Sequence, residues 1–83
     1  MAALTLRQVA DIYTKQAAAY DKLAKTLRAV ARDLPQGAGA TTVELQAATR
    51  AYDVSLQNFH SAESATAQAA EYSALADAAG EPA

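Results

Sequence analysis

The pair of residues best suited to chemistry in this chain is His60, its single histidine, followed three positions later by Glu63. On a helix these two side chains share a face, which is half of the carboxylate–histidine motif that binds metals inside helical bundles. The complete motif needs a second such pair and further glutamates, and the chain has no cysteine to replace them. We therefore expect His60 to be a solvated or interfacial residue, and we predict no metal site and no cofactor.

Nucleophilic and phosphate-binding patterns are also missing from the sequence. Its serines lie outside any Gly-x-Ser-x-Gly element, which is the turn that exposes a catalytic serine. Gly37 and Gly39 are not followed by the Gly-Lys-Ser/Thr of a phosphate-binding loop. We predict that the protein is not an enzyme and takes no small-molecule substrate.

The basic residues are concentrated in the first 36 positions, which carry a net charge of +3, whereas positions 37–83 carry −5. A basic segment can bind nucleic acid, but the lysines and arginines alternate with Asp11, Asp21 and Asp33, and the sequence pI is about 5.1. Nucleic-acid-binding domains have the opposite overall charge. We interpret these residues as a solvated outer face and predict no nucleic-acid partner.

These side chains must be positioned by helices, because the helix-breaking residues fall in two short stretches, one in the middle of the chain and one at its end. Pro35, Gly37 and Gly39 predict a turn over 35–40, while Gly80 and Pro82 predict a helix cap and a flexible tail over 80–83. Thr-x-x-Gln at Thr5 and Thr-x-x-Glu at Thr41 are capping boxes. The sequence thus predicts a single all-α domain over 1–83, an antiparallel hairpin of helices over about 5–34 and 41–79.

The hydrophobic pattern of the first helix alternates by three and four residues, as in a coiled-coil seam. Its flank carries alanine every seven residues, from Ala10 to Ala31, and small residues there would let a neighbouring helix approach closely. Folding about Gly37 predicts that Leu23 faces Tyr52, that Gln16 faces Phe59 and that Tyr13 faces Ala62. The longer second helix should then overhang the start of the first, and Tyr72 through Ala79 should project beyond the paired region.

The predicted core is thin. Alanine supplies 24 of 83 residues, whereas Leu, Ile, Val and Phe together supply about 17%, so one copy buries little area to offset its chain entropy. We expect a protein partner, either a second copy or a second helical hairpin, to complete a four-helix bundle. The residues predicted to form this interface are large and apolar: Leu6, Val9, Tyr13, Tyr20, Leu23, Leu27, Val30, Tyr52, Leu56 and Phe59.

The turn and the second helix resemble the WXG family of type VII secretion substrates. Leu34-Pro-Gln-Gly37 stands where that family has Trp-x-Gly, keeping the glycine without the tryptophan, and Leu45 through Leu56 looks like the start of the family's second helix. The family also tends to carry a C-terminal Tyr-x-x-x-Asp/Glu export signal; here Tyr72 is followed by Asp77, one residue further on. Members lacking one signal commonly pair with a partner that has it, so the resemblance implies a heterodimer.

Two functions are therefore expected from the sequence. The first is a non-enzymatic helical-hairpin interaction protein that resembles a type VII secretion substrate or its partner subunit. The alternative is a cytoplasmic or phage-encoded regulatory module that acts on a host protein as a homodimeric bundle. The sequence has neither a membrane-spanning stretch nor a cleavable secretory signal, which predicts a cytoplasmic location, or export without a cleavable signal peptide.

Overall fold

A computed structural model describes residues 3–82, which form two antiparallel helices joined by one linker. Helix α1 covers Leu6–Asp33 and helix α2 covers Thr42–Ala78, and no strand occurs among the described residues. The hairpin measures 61 × 24 × 14 Å, so it is a single layer of two helices. The predicted all-α hairpin is confirmed.

Both helices begin at the predicted capping boxes. The Thr5 hydroxyl accepts a hydrogen bond from the backbone N–H of Gln8 (3.1 Å), and the Gln8 side-chain oxygen accepts one from the Thr5 N–H (2.8 Å). Thr41 and Glu44 make the same exchange at α2, over 3.1 Å and 3.0 Å. Each box satisfies two backbone N–H groups that the first helical turn leaves without an intrahelical partner.

The linker leaves α1 through an extended Leu34 and then turns at Gly37, whose φ of +89° lies in the left-handed region. Two hydrogen bonds shape it: the Gln36 amide donates to the Ala31 carbonyl (2.7 Å), and the Ala40 N–H donates to the Gly37 carbonyl (3.1 Å). A residue with a Cβ is strained at positive φ. The positive φ therefore explains why a glycine occupies the predicted turn at position 37.

The helices meet along two columns of small side chains. Every buried residue in the described chain is an alanine or a serine, and most recur at seven-residue intervals: Ala24 and Ala31 on α1, and Ala48, Ser55, Ala62, Ala65 and Ala76 on α2. The single buried polar group, the Ser55 hydroxyl, donates to the Tyr52 carbonyl (2.6 Å). The alanine column that the sequence placed on a flank of α1 is thus the centre of the contact.

This seam corrects the predicted core. Leu23 and Val30, which the three-and-four pattern placed on the seam, are 48% and 43% exposed. Leu56 and Tyr52 of α2 are also exposed. In contrast Leu6, Tyr13, Tyr20 and Leu27 are half-buried beside the alanines. The seam of α1 alternates large and small residues, because small side chains let the helix axes approach while the large ones fill the edges.

The predicted register of the two helices is wrong, and both observed contacts shift it in the same direction. Tyr13 stacks on Tyr72, with ring centroids 5.6 Å apart, instead of facing Ala62, and Arg28 rather than Leu23 lies at Tyr52. Helix α2 has 37 residues and α1 has 28, a difference of about 14 Å at 1.5 Å per residue. Since Arg7 at the start of α1 pairs with Asp77 at the end of α2, the extra length lies at the linker end. The predicted overhang at the open end is therefore wrong.

Candidate interaction surfaces

One side of the hairpin carries an exposed apolar stripe, which we call the apolar face. Four α1 side chains define it, Val9, Ile12, Leu23 and Val30; three of them are 43–50% exposed and Val9 is half-buried. They recur at helical spacing along α1. Across the seam the same side is lined by Ser61, Ser64 and Gln68 of α2, which with Ile12, Gln16 and Tyr20 border one groove.

Helical periodicity places Val54 and Leu75 on the same edge of α2 as Ser61 and Gln68, because each of these residues is seven positions from the next. Leu75 is 48% exposed. The residues that define the apolar face and border its groove carry no charge, whereas Arg50 and Asp53 lie beside Val54 at the linker end. Ile12 is the most exposed α1 residue of the apolar face. It was absent from the predicted interface, although its position three residues after Val9 could have placed it on the same side of the helix.

The opposite side has a different character, and we call it the bipolar face. Near the linker it presents Leu45, Tyr52, Leu56 and Phe59 of α2 beside the basic residues Arg28 and Arg32 of α1. The Arg28 guanidinium lies 5.6 Å from the Tyr52 ring centre and 5.7 Å from that of Phe59, a cation–π distance. Arg28 thereby fixes two aromatic rings and keeps a positive charge at the surface.

The predicted interface residues therefore do not form one surface. Leu6, Tyr13, Tyr20 and Leu27 border the seam; Val9, Leu23 and Val30 lie on the apolar face; Tyr52, Leu56 and Phe59 lie on the bipolar face. The sequence merged them because the seam was assigned one residue away from its centre on α1. Successive residues on a helix are about 100° apart, so moving one of the two seam positions of each heptad by one residue turns the face of α1 by about half of that angle.

The open end of the hairpin is closed by a clasp formed by Arg7, Asp77, Glu81 and Pro82. Gly80, at φ +73°, ends α2 and turns the chain back. The Glu81 carboxylate then accepts hydrogen bonds from the backbone N–H groups of Leu6 and Arg7, both at 3.2 Å. The described part of the predicted flexible tail, residues 80–82, is thus hydrogen-bonded to the first turn of α1; residue 83 lies outside the described residues.

Arg7 holds the clasp from the other side. Its guanidinium donates to the Asp77 carboxylate, to the Glu81 carbonyl (3.1 Å) and to the Pro82 carbonyl (2.9 Å). A negative carboxylate at the positive end of α1 is electrostatically favourable. Sequence reasoning assigned no role to Arg7 or Glu81, because their contact joins residues more than seventy positions apart.

Both residues of the candidate export signal are engaged in intramolecular contacts. Tyr72 is half-buried and stacks on Tyr13, and Asp77 pairs with Arg7. Between them Ala76 has no exposed surface. The prediction that this segment projects beyond the paired region is therefore wrong. A sequence pattern that could have predicted the packing of this segment is the seven-residue repeat of small residues along α2: Ala48, Ser55, Ala62, Ala69 and Ala76.

The residues first considered for chemistry remain on the surface. The His60 and Glu63 side chains are 80% and 81% exposed, with 3.9 Å between Nδ1 and Oε2, and no group of three or more metal-ligating residues occurs within 3–82.

Neither described helix is long and apolar enough to span a membrane. Hydrogen bonds from Thr41 lower the pKa of Glu44 below its ordinary value, which is an effect of helix capping.

Comparison of this chain with protein-family models, with curated proteins and with solved structures gives no match. The resemblance to the WXG family therefore stays a prediction. What the geometry contributes is two exposed surfaces of unlike chemistry on opposite sides of a seam made of alanine.

Proposed function

We propose that this protein is a non-enzymatic interaction module whose apolar face binds a second helical protein to complete a four-helix bundle. The observation that carries the proposal is the separation of small and large apolar residues. Ala24 and Ala31 stabilise the hairpin from within, whereas Ile12, Leu23 and Val30 remain exposed in a line. A row of apolar side chains at helical spacing is the surface that receives an amphipathic helix.

The extent of the surface supports the same proposal. The chain exposes 5903 Å², whereas a compact monomer of its mass is expected to expose about 4,700 Å². The excess of about 1,200 Å² exceeds the roughly 800 Å² that each partner buries in a standard interface. Covering the apolar face with a second hairpin would give the large residues of α1 a core to occupy.

Within this class we propose a protein that resembles a type VII secretion substrate or its partner subunit. Hairpin length, the glycine of the turn and the pair Tyr72 and Asp77 support this assignment. Since Tyr72 and Asp77 are engaged by Tyr13 and Arg7, we favour the partner subunit, whose export would depend on the signal of the bound protein.

Co-export tests this assignment directly. The chain is expressed with candidate helical-hairpin partners, chosen from any such proteins encoded near its gene, in a bacterial host with a type VII system and in the same strain lacking the secretion ATPase. We expect ATPase-dependent export that Leu23→Glu abolishes and that Lys22→Glu, an adjacent exposed position with a larger change of charge, leaves intact. Export that persists in Leu23→Glu would contradict the role of the apolar face.

A second candidate function is the regulatory module that acts on a host protein. The intramolecular contacts of the candidate export signal favour it, because a signal used by secretion machinery should be accessible. Asp77 is paired with Arg7 in the clasp, and Tyr72 is half-buried against Tyr13. Tyr72→Phe tests whether this tyrosine is itself read as an export signal, since it keeps the ring that stacks on Tyr13 and removes the hydroxyl. Under the secretion assignment, loss of export in Tyr72→Phe would show that the tyrosine itself is read; no export from any variant, with complex formation intact, would favour the regulator.

A further inference from the structure

The bipolar face has two halves of opposite shape and charge. The half near the linker is bulky and basic: Leu45, Tyr52 and Leu56 are 38–43% exposed, beside Arg28 and Arg32. Arg32 is hydrogen-bonded to Asp33 at 3.1 Å, whereas Arg28 makes no ion pair with a carboxylate in the described chain. Arg28 is thus the uncompensated positive charge of this half.

The half toward the open end is concave and acidic. It contains a shallow groove floored by small residues of both helices, including Ala17, Ala18, Ala67 and Ala70. Asp21 and Glu63 border this groove. Asp21 is paired with Lys25 at 2.9 Å, whereas within residues 3–82 the only ion-pair partner of Glu63 is the exposed His60, 3.9 Å away. Glu63 is thus the negative counterpart of Arg28.

We infer that the bipolar face is self-complementary and binds a second copy of this chain in reversed orientation. A two-fold axis beside Phe59 would lay the bulky, basic half of each copy into the small-residue, acidic half of the other. Arg28 of each copy would then approach Glu63 of the second copy. The contact is isologous, so every favourable pair occurs twice.

The alternative orientation of the two copies is unfavourable in both charge and shape. If the second copy ran in the same direction, Arg28 would lie near Arg28 and the bulky residues would lie against one another. Like charges across an interface oppose association, and complementary ones set its register. The reversed arrangement is therefore the one that fits both the charges and the shapes of this face.

This surface is separate from the one that carries the proposed function. The apolar face lies on the other side of the seam, and the four α1 residues that define it are uncharged. Self-association through the bipolar face would leave the apolar face of each copy free for another helical protein. The two interactions can therefore be tested independently.

Sedimentation equilibrium of the full chain over micromolar to hundred-micromolar concentrations tests the inference by charge exchange. We expect a reversible dimer that either Arg28→Glu or Glu63→Arg weakens by about tenfold or more, equivalent to about 1.4 kcal/mol. The double variant should recover association to near the unmodified level, because it restores opposite charges in both symmetric contacts. Lys22→Glu, with the same change of charge as Arg28→Glu on an outer position, should associate normally.

The double variant also controls for folding, because it lacks the same cation–π contacts as Arg28→Glu. A monomer over the whole concentration range would overturn the inference, as would a double variant no better than the singles. Leu23→Glu distinguishes it from the proposed function: self-association should survive this change while co-export is lost. A dimer abolished by Leu23→Glu would place self-association on the apolar face and overturn the inference.

Discussion

Ala24 and Leu23 are neighbours in the chain, yet Ala24 is completely buried in the seam and Leu23 is 48% exposed on the apolar face. In most helical proteins the larger side chain would be the buried one, because burial free energy grows with apolar area. Here small residues hold the two helices together and large residues face outward. The difference leaves the larger apolar side chains of α1 exposed, and this exposure supports our proposal that a second helical protein completes the bundle.

The same contrast distinguishes the two helices. The seam of α1 alternates large and small residues, from Leu6 and Ala10 to Leu27 and Ala31, whereas the seam of α2 is small throughout except at Asn58 and Tyr72. The exception at Tyr72 is matched by Tyr13, on which it stacks. Large residues of α1 thus pack beside small ones of α2, which is the size alternation that lets two helices interdigitate.

The strongest test of this contrast is to reverse the sizes at the neighbouring positions. Ala24→Leu should destabilise the hairpin by about 1–3 kcal/mol, because the closely packed seam has no room for three more carbons. Leu23→Ala should cost about 1 kcal/mol or less, since half of the side chain is already in water. Chemical denaturation below the association range, followed by circular dichroism, measures both.

Ala74→Leu is the matched control for overpacking, because Ala74 is exposed on the outer side of α2; its effect should stay within about 0.5 kcal/mol. A loss of about 2–5 kcal/mol in Leu23→Ala, the cost of emptying a buried leucine site, would contradict the exposure of this residue. It would return Leu23 to the seam where the sequence pattern placed it.

A smaller effect is expected at the linker, which determines which alanines face each other across the seam. Gly37→Ala should destabilise the hairpin by about 1–2 kcal/mol, the cost of holding a residue with a Cβ at positive φ. Gly39→Ala should be tolerated, because no atom lies within 4 Å of its added Cβ and its φ is outside the left-handed region. Thermal denaturation of the pair measures the difference; equal effects would show that the turn does not depend on Gly37.

The smallest effect concerns Glu44, at the start of α2 and away from the small-residue seam. Because its folded pKa is lowered by hydrogen bonds from Thr41, its stabilisation is present above the unfolded pKa. It is lost as the pH falls through the lower folded pKa, in the acidic range below about 4.5. The Thr41 amide proton signal, followed by NMR during acid titration, should move with Glu44 ionisation.

Glu44→Gln is the control for this titration, since its side-chain oxygen can accept the same hydrogen bond without a charge. The Thr41 signal of this variant should not show the transition. An identical transition in both proteins would mean that another group, and not the cap, is being observed.

Much of the fold could be predicted from local sequence signals. Thr5 and Thr41 lie at the start of each helix with their capping partners three residues later, and the break at Pro35 to Gly39 separates the helices; both follow from backbone chemistry within a few residues. Gly80 as the end of α2 is of the same kind. These features need no information about which helix faces contact each other.

The candidate surfaces could be predicted only in part, because their residues were identified but not their arrangement. Val9, Leu23, Val30, Tyr52, Leu56 and Phe59 are all surface-forming apolar residues, yet they belong to two faces instead of one. A heptad pattern in which alanine follows the large residue at one of its two seam positions fits two helix rotations, about 50° apart. Local propensity does not distinguish them.

The sequence by itself thus determined two capped helices, one glycine-dependent turn and a shortage of large core residues. Tertiary structure decided which face of each helix is buried, since this depends on how closely two backbones can approach where alanines meet alanines. It also decided the register, through the stacking of Tyr13 on Tyr72 and the contacts of Arg7 with Asp77 and Glu81. Those contacts join residues far apart in the chain, and no local pattern encodes them.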